Sequence, residues 1–100
     1  MANELLQVDP RQLRVPPSRL TGADPLKLHR QIAKFGKDTA GMQPPWVHRG
    51  KDDELMIVDG VTRATRVAKL LPGTLITVLV TEDHPNRDFA RWPTIGDVLP

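Results

Sequence analysis

Apolar residues in this chain come in short, well-separated bursts. Leu5, Leu6 and Val8 form the first, closed by Asp9-Pro10; Leu13 and Val15 form the second, closed by Pro16-Pro17. Alternation this brief predicts one or two short strands. Asp24-Pro25 then reads as a helix start, with Asp as N-cap and Pro at the first helical position, where its missing N–H costs nothing. Leu28, Ile32 and Phe35 follow at i, i+4, i+7, and Gly36 suits the left-handed C-terminal position, so the pattern predicts a helix over Pro25–Phe35. Trp46 and Val47 open a strand after Pro44-Pro45, and Gly50 to Asp53 connects it to the apolar run Leu55–Val58. Ala64, Val67, Ala68 and Leu71 give a second helical stripe, stopped by Pro72-Gly73. Thr74–Val80, almost wholly β-branched and aliphatic, predicts the clearest strand. The tail from Glu82 carries Phe89, Trp92, Ile95, Val98 and Leu99, which predicts docking onto the body through one or two helical turns. The order is β-α-β-β-α-β plus a tail, an α+β or mixed α/β single domain over residues 1–100.

Composition adds mostly exclusions. The 14 Lys+Arg against 12 Asp+Glu give a net charge of +2, too small an excess for a dedicated nucleic-acid module. The absence of cysteine removes disulfides, thiolate metal sites and thiol catalysis. No apolar run approaches a membrane span, so no membrane is expected. Met1-Ala2-Asn3-Glu4 lacks the basic start of a signal peptide, and a cytoplasmic location is the expectation.

The stretch richest in chemistry is Glu54–Leu71, ELMIVDGVTRATRVAKLL. A buried strand runs through Asp59-Gly60 directly into a helix. Gly60 permits a sharp turn and close approach of a ligand. The N–H groups of Val61, Thr62 and Arg63 are unpaired at a helix N-terminus and, with the helix dipole, favour a phosphate. Thr62, Arg63 and Arg66 fall on an arc away from the apolar stripe, where arginine offers a bidentate clamp. The same pattern also serves as a plain turn beside solvated arginines. A second stretch, Gly41 to Val47, offers Gln43, with Thr39 just before it, as hydrogen-bonding groups, and Trp46 as a surface on which a base can stack; Trp46 reads equally as a half-buried strand residue. Asp59 reads as the helix N-cap, or as a Mg²⁺ ligand beside the phosphate turn. His29, His48 and His84 lie far apart with no metal-site spacing, so no metal is expected on them. Asp52, Asp53 and Glu54 offer carboxylates to a cation but read first as a solvated hairpin tip, and no Ser/His/Asp set assembles around Ser18, the only serine.

Taken in order, GMQPPWV, the hairpin, ELMIVDGVTRATRVAKLL and TLITVLV resemble the N-terminal domain of the chromosome-partitioning protein ParB and the wider ParB/sulfiredoxin superfamily. The matching residues are Gln43, Pro44, Val47, Gly60, Arg63, Ala68 and the strand Leu75–Val80. The resemblance spans about residues 5–81, with 82–100 as a tail. It implies a small mixed β-sheet with flanking helices, and nucleotide phosphate binding at the Gly-x-x-Arg turn, with Gln43-Pro44 in the same cleft. It points to a nucleoside triphosphate, CTP or ATP, with Mg²⁺ as the accompanying ion. Where ParB reads Gly-Glu-Arg-Arg, Val61 and Thr62 replace the Glu and the first Arg; Val61 can neither position water nor accept a proton, which counts against CTP hydrolysis. Val61 also stands at the catalytic cysteine of sulfiredoxins, which excludes that activity. The free-serine kinases of the superfamily read Asp-Gly-His-His-Arg; here Asp59, Gly60 and Arg63 match, while Val61 and Thr62 replace both histidines.

These features support three readings. The first is a binding module for a nucleotide or other phosphate, at Gly60, Val61, Thr62, Arg63 and Arg66, with Gln43 and Thr39 at the entrance. The second is a nuclease or phosphotransferase using Asp59. The third is a protein-interaction module in which Phe89 and Trp92 of the tail meet a partner. Nucleic-acid binding is expected to be weak and sequence-blind.

Overall fold

The computed structural model of the chain describes residues 3–100; Met1 and Ala2, which enter the reading of the N-terminal start, lie outside them. Four strands, β1 (Glu4–Val8), β2 (Trp46–Arg49), β3 (Leu55–Asp59) and β4 (Ile76–Asp83), form one mixed sheet in the order β1-β4-β2-β3. The β1–β4 and β2–β3 pairs are antiparallel, and β2–β4 is parallel. Two helices, α1 (Pro25–Phe35) and α2 (Val61–Leu70), complete an α+β domain. The element order is the β-α-β-β-α-β that the apolar pattern predicts. Among the described residues no helix is long and apolar enough to cross a membrane.

The core lies between the sheet and α2. Val47, Ile57, Val78 and Val80 project from the strands onto Ala64, Val67 and Ala68. The alternation along β4 is the reason one face is buried: Ile76, Val78 and Val80 point inward. On the opposite face Leu5, Leu79 and Trp46 stand in register across β1, β4 and β2. Helix α1 packs against α2 and stays at the periphery. Of its predicted stripe only Leu28 is fully buried; Ile32 is half-buried and Phe35 exposed.

The ends of α1 follow local chemistry. The Asp24 carboxylate accepts from the N–H groups of Leu26 at 2.9 Å and Lys27 at 3.2 Å. Gly36 closes the helix with φ of +53° but ψ of −122°, so it is a positive-φ stop and not the left-handed helical cap expected.

Other expectations are corrected. Of the one or two short strands predicted before α1, one forms; at Leu13–Val15 the backbone makes only a parallel bridge from Arg14 to Met56 and an antiparallel bridge from Arg14 to Thr94. That threads Leu13 and Val15, both buried, between β3 and the tail. The last strand begins at Ile76 and runs to Asp83, later than the propensity window, because its C-terminal half pairs with β2 as far as Arg49–Asp83. The tail docks as expected and holds one short helical turn, Gly96–Val98, opened by reciprocal bonds between Thr94 and Asp97. Phe89 is therefore no exposed contact residue: it is 0% exposed, and Trp92 is half-buried. Phe89 fills the space before Gly50, where an added Cβ would lie 2.5 Å from the Phe89 ring.

Candidate functional site

Strand β3 delivers Asp59 to the sheet end and Gly60 turns the chain into α2. Gly60 has φ of +97°, a conformation side chains resist, and it is the N-cap residue of α2. This corrects the reading of Asp59 as N-cap: Asp59 is the last residue of β3, its side chain 61% exposed. Gly60 has no side chain to cap the helix. The first helical bond runs from Ala64 N–H to the Gly60 carbonyl at 3.0 Å. The N–H groups of Val61, Thr62 and Arg63 thus lack intrahelical acceptors, and the positive end of the dipole faces outward.

Arg63 lies back across this turn. Its Nη2 is 3.4 Å from Asp59 Oδ2, a long ion pair one helical turn apart. Its Nε is buried without a hydrogen-bond partner among the described residues. A Cβ built on Gly60 would meet Arg63 Nη2 at 2.7 Å and Pro45 Cβ at 3.0 Å. The close approach that Gly60 permits is occupied by the Arg63 guanidinium, where the sequence suggested open space for a ligand.

A cleft of about 360 Å³ opens in front of the turn, lined by Asp59 to Arg63 and, from the other side, by Ser18, Arg19, Lys27 and Gln31. It adjoins two smaller cavities. One, of about 280 Å³, is lined by Lys27, Arg30, Gln31, Lys34 and Thr62. The other, of about 220 Å³, includes Gln43, Arg63 and Arg66. Gln31 borders all three. Arg19, Lys27, Arg30, Lys34 and Arg63 make the region strongly cationic on a chain whose net charge is +2. Asp59 is the only carboxylate among the residues lining the 360 Å³ cleft.

The proposed set is thereby divided. Gly60, Val61, Thr62 and Arg63 share the main cleft. Gln43 lines, with Arg63, the adjoining 220 Å³ cavity. Thr39 is exposed on the preceding loop and lines none of the three. Trp46 is 51% exposed and lines none either.

Arg66 requires correction. It is 2% exposed, one of two buried polar residues among those described, not a solvated member of the arc. Its Nη1 donates to the carbonyls of Gly36 at 2.7 Å and Asp38 at 2.9 Å. Its guanidinium carbon lies 5.3 Å from the Phe35 ring centre. Burial pulls its pKa below the ordinary arginine value, opposed by the Asp38 charge. Arg66 stitches α2 to the end of α1 and borders the 220 Å³ cavity with its Nη1 already engaged.

Sequence reasoning missed Arg19, Lys27, Arg30 and Lys34. A signal was there: Lys27, Arg30, Gln31 and Lys34 repeat at i, i+3, i+4, i+7 on the polar side of α1. That this side faces the Gly60 turn is a tertiary fact. A larger cavity, about 470 Å³, lies elsewhere, around Arg11, Arg14, Asp52 and Asp53. Its arginines are already engaged, Arg14 with Glu54 at 3.0 Å and Arg11 with the Ala68 carbonyl at 3.0 Å. Its acidic residues make it a poor anion site.

A second gathering of functional groups lies on β2 and β4. His48 Nε2 is 3.3 Å and His84 Nε2 is 3.2 Å from the two oxygens of Glu82. His48 and His84 are far apart in sequence, but strand pairing joins what the spacing separates; His29 is exposed on α1.

The sequence matches no protein-family model, and comparison with curated proteins and with solved structures returned no match.

Proposed function

We propose that the chain is a ParB-like phosphate-binding domain that takes a nucleotide at the uncapped N-terminus of α2. The observation that carries this reading is the juxtaposition of three free N–H groups, Val61 to Arg63, with Arg19, Lys27 and Arg63 around one cleft. Phosphate oxygens accept from the N–H groups, and the guanidinium of Arg63 turns from Asp59 to the phosphate. A 3.4 Å contact to a largely exposed carboxylate is a weak competitor for that exchange. Lys27 and Arg19 neutralise the outer phosphates, and Gln43 stands behind Arg63 for a polar contact. Asp59, released, is the carboxylate available to a Mg²⁺ ion carried by the phosphates.

Asp59 also supports a second reading, a Mg²⁺-dependent nuclease or phosphotransferase, since such chemistry needs a metal and a positioned base. Val61, where the family turn carries functional side chains, favours binding over catalysis. Nucleic acid meets this surface as a run of phosphates, so its binding is salt-sensitive and indifferent to sequence.

Calorimetric titration with CTP, ATP and ADP, with and without Mg²⁺, tests the proposal. Arg63→Ala removes a charge-assisted contact of about 1.5–3 kcal/mol, so triphosphate affinity falls about 10- to 150-fold. Arg63→Lys recovers part of it, because an ammonium lacks the planar fork. Equal binding by wild type and Arg63→Ala places the phosphate elsewhere. No binding by wild type at about millimolar nucleotide leaves the interaction-module reading. Product formation from plasmid DNA or ATP, lost in Asp59→Asn, favours the enzyme.

A further inference from the structure

The His48, Glu82 and His84 cluster owes its existence to an irregularity in the sheet. Val47 pairs with Val80 in the parallel β2–β4 ladder, so regular pairing would set His48 against Thr81. The register shifts between Val47 and His48, and His48 faces Glu82 instead. Such bulges re-aim side chains. His84 is fixed just beyond β4 by its N–H bond to the Arg49 carbonyl at 2.7 Å. The two imidazole rings stand 5.0 Å apart between centroids.

The neighbouring charges leave Glu82 to the histidines. Arg49 takes Asp83 through Nε at 2.6 Å and Glu4 through Nη1 at 2.9 Å. One ligand atom from each of His48, Glu82 and His84 lies within 4.8 Å of the others. Ligands bound tetrahedrally at about 2.0–2.1 Å stand about 3.3 Å apart. The carboxylate oxygens of Glu82 are 3.3 Å from His48 Nε2 and 3.2 Å from His84 Nε2. At His84 the separation is that of a ligand pair, and Nε2 is buried with no hydrogen-bond partner among the described residues. A buried ring nitrogen at that distance and without a hydrogen bond calls for an explanation.

We propose that His48, Glu82 and His84 bind a Zn²⁺ ion. Two imidazoles and one carboxylate are a donor set that zinc accepts, and three protein ligands leave a fourth position open to water or a small anion. No bulk rearrangement is needed, because bulge, ladder and the His84 N–H bond hold all three residues. None of them lines the cleft at Gly60, so the proposal is independent of the nucleotide reading.

The test is calorimetry of the metal-stripped full chain with Zn²⁺, joined to imidazole nitrogen NMR. Wild type is expected to bind one ion, and the resonances of His48 and His84, but not His29, to shift. Losing even an outer-sphere partner of a metal ligand costs about 10- to 100-fold in affinity, so His48→Ala, His84→Ala and Glu82→Gln should each weaken binding at least tenfold. His29→Ala should bind as wild type does. The NMR arm needs no variant, so a poorly folded variant cannot mask the result. No heat at about millimolar Zn²⁺ overturns the proposal. So do shifts shared equally by His29, or unchanged affinity in the folded His48 and His84 variants.

Discussion

Arg63 and Arg66 sit one turn apart on α2, yet the fold gives them opposite tasks. Arg63 borders the cleft, while Arg66 is sealed beneath it with both Nη1 bonds directed at backbone carbonyls. Replacing Arg66 with Met keeps much of the buried volume but strips Gly36 and Asp38 of their donor. Bonds from charged groups contribute about 1.5–3 kcal/mol each, and Met recovers part of the loss as packing, so Arg66→Met should cost about 2–4 kcal/mol in urea denaturation. Faster amide exchange in the loop after α1 should accompany it. A loss below about 0.5 kcal/mol, the scale of ordinary surface substitutions, returns Arg66 to the solvated arc of the helical wheel. The wheel placed both arginines together because it knows only the apolar stripe of its own helix. That the end of α1 would lie over Arg66, and not over Arg63, depends on how α1 and α2 pack. Gly60 and Arg63 were legible because a strand running through glycine into a helix is a local event.

Helix α1 was legible to the residue at both ends for the same reason: Asp24-Pro25 and Gly36 set the backbone within their own neighbourhood. The cap also predicts a pH dependence. The Asp24 carboxyl is held below the ordinary aspartate range chiefly by the N–H of Lys27, then by that of Leu26. A depressed folded pKa means that the stabilisation is present above about pH 4 and is lost as pH falls through the folded value. Asp24→Asn keeps an N-cap acceptor but cannot titrate. Its melting temperature should lie slightly below wild type near neutral pH, and the gap should close on acidification. Asp83, held down by Arg49, and Asp97, held down by Thr94, titrate in both proteins, so the difference between the two curves isolates Asp24. Parallel curves down to about pH 2.5 would remove Asp24 as a titrating cap. Strand β4 shows the limit of local reading. Its propensity window ends at Val80, but the less strand-prone Glu82 and Asp83 remain in the ladder because His48 and Arg49 pair with them. The same pairing assembles the histidine cluster, which is why the spacing of His48 and His84 along the chain carried no sign of it.

At the scale of the whole molecule, the segment after β4 belongs to the domain and is not an appendage to it. Ile95 joins the core cluster, its N–H bonds the Leu13 carbonyl at 2.8 Å, and Val15 bonds Pro93 at 2.9 Å, so residues 13–15 are held between β3 and the tail. Phe89 locks this arrangement from the hairpin end. Its ring packs where Gly50 has no side chain, and the Lys51 N–H bonds the Arg87 carbonyl at 2.7 Å beside it. Phe89→Ala should therefore destabilise by about 3–5 kcal/mol, as loss of a buried phenylalanine does. Domains of this size have only about 5–15 kcal/mol in total, so the urea midpoint should fall steeply while its slope stays unchanged. Gly50→Ala approaches the same contact from the other side: the added methyl collides with Phe89 and the Arg87 carbonyl and should cost about 1–3 kcal/mol. Combined, the two changes should cost less than their sum, since removing the ring vacates much of the space the methyl needs; strict additivity would mean that they do not share a contact. If Phe89→Ala left the midpoint within about 0.5 kcal/mol of wild type, Phe89 would again be a candidate for contact with a partner, and the tail would be peripheral to the fold.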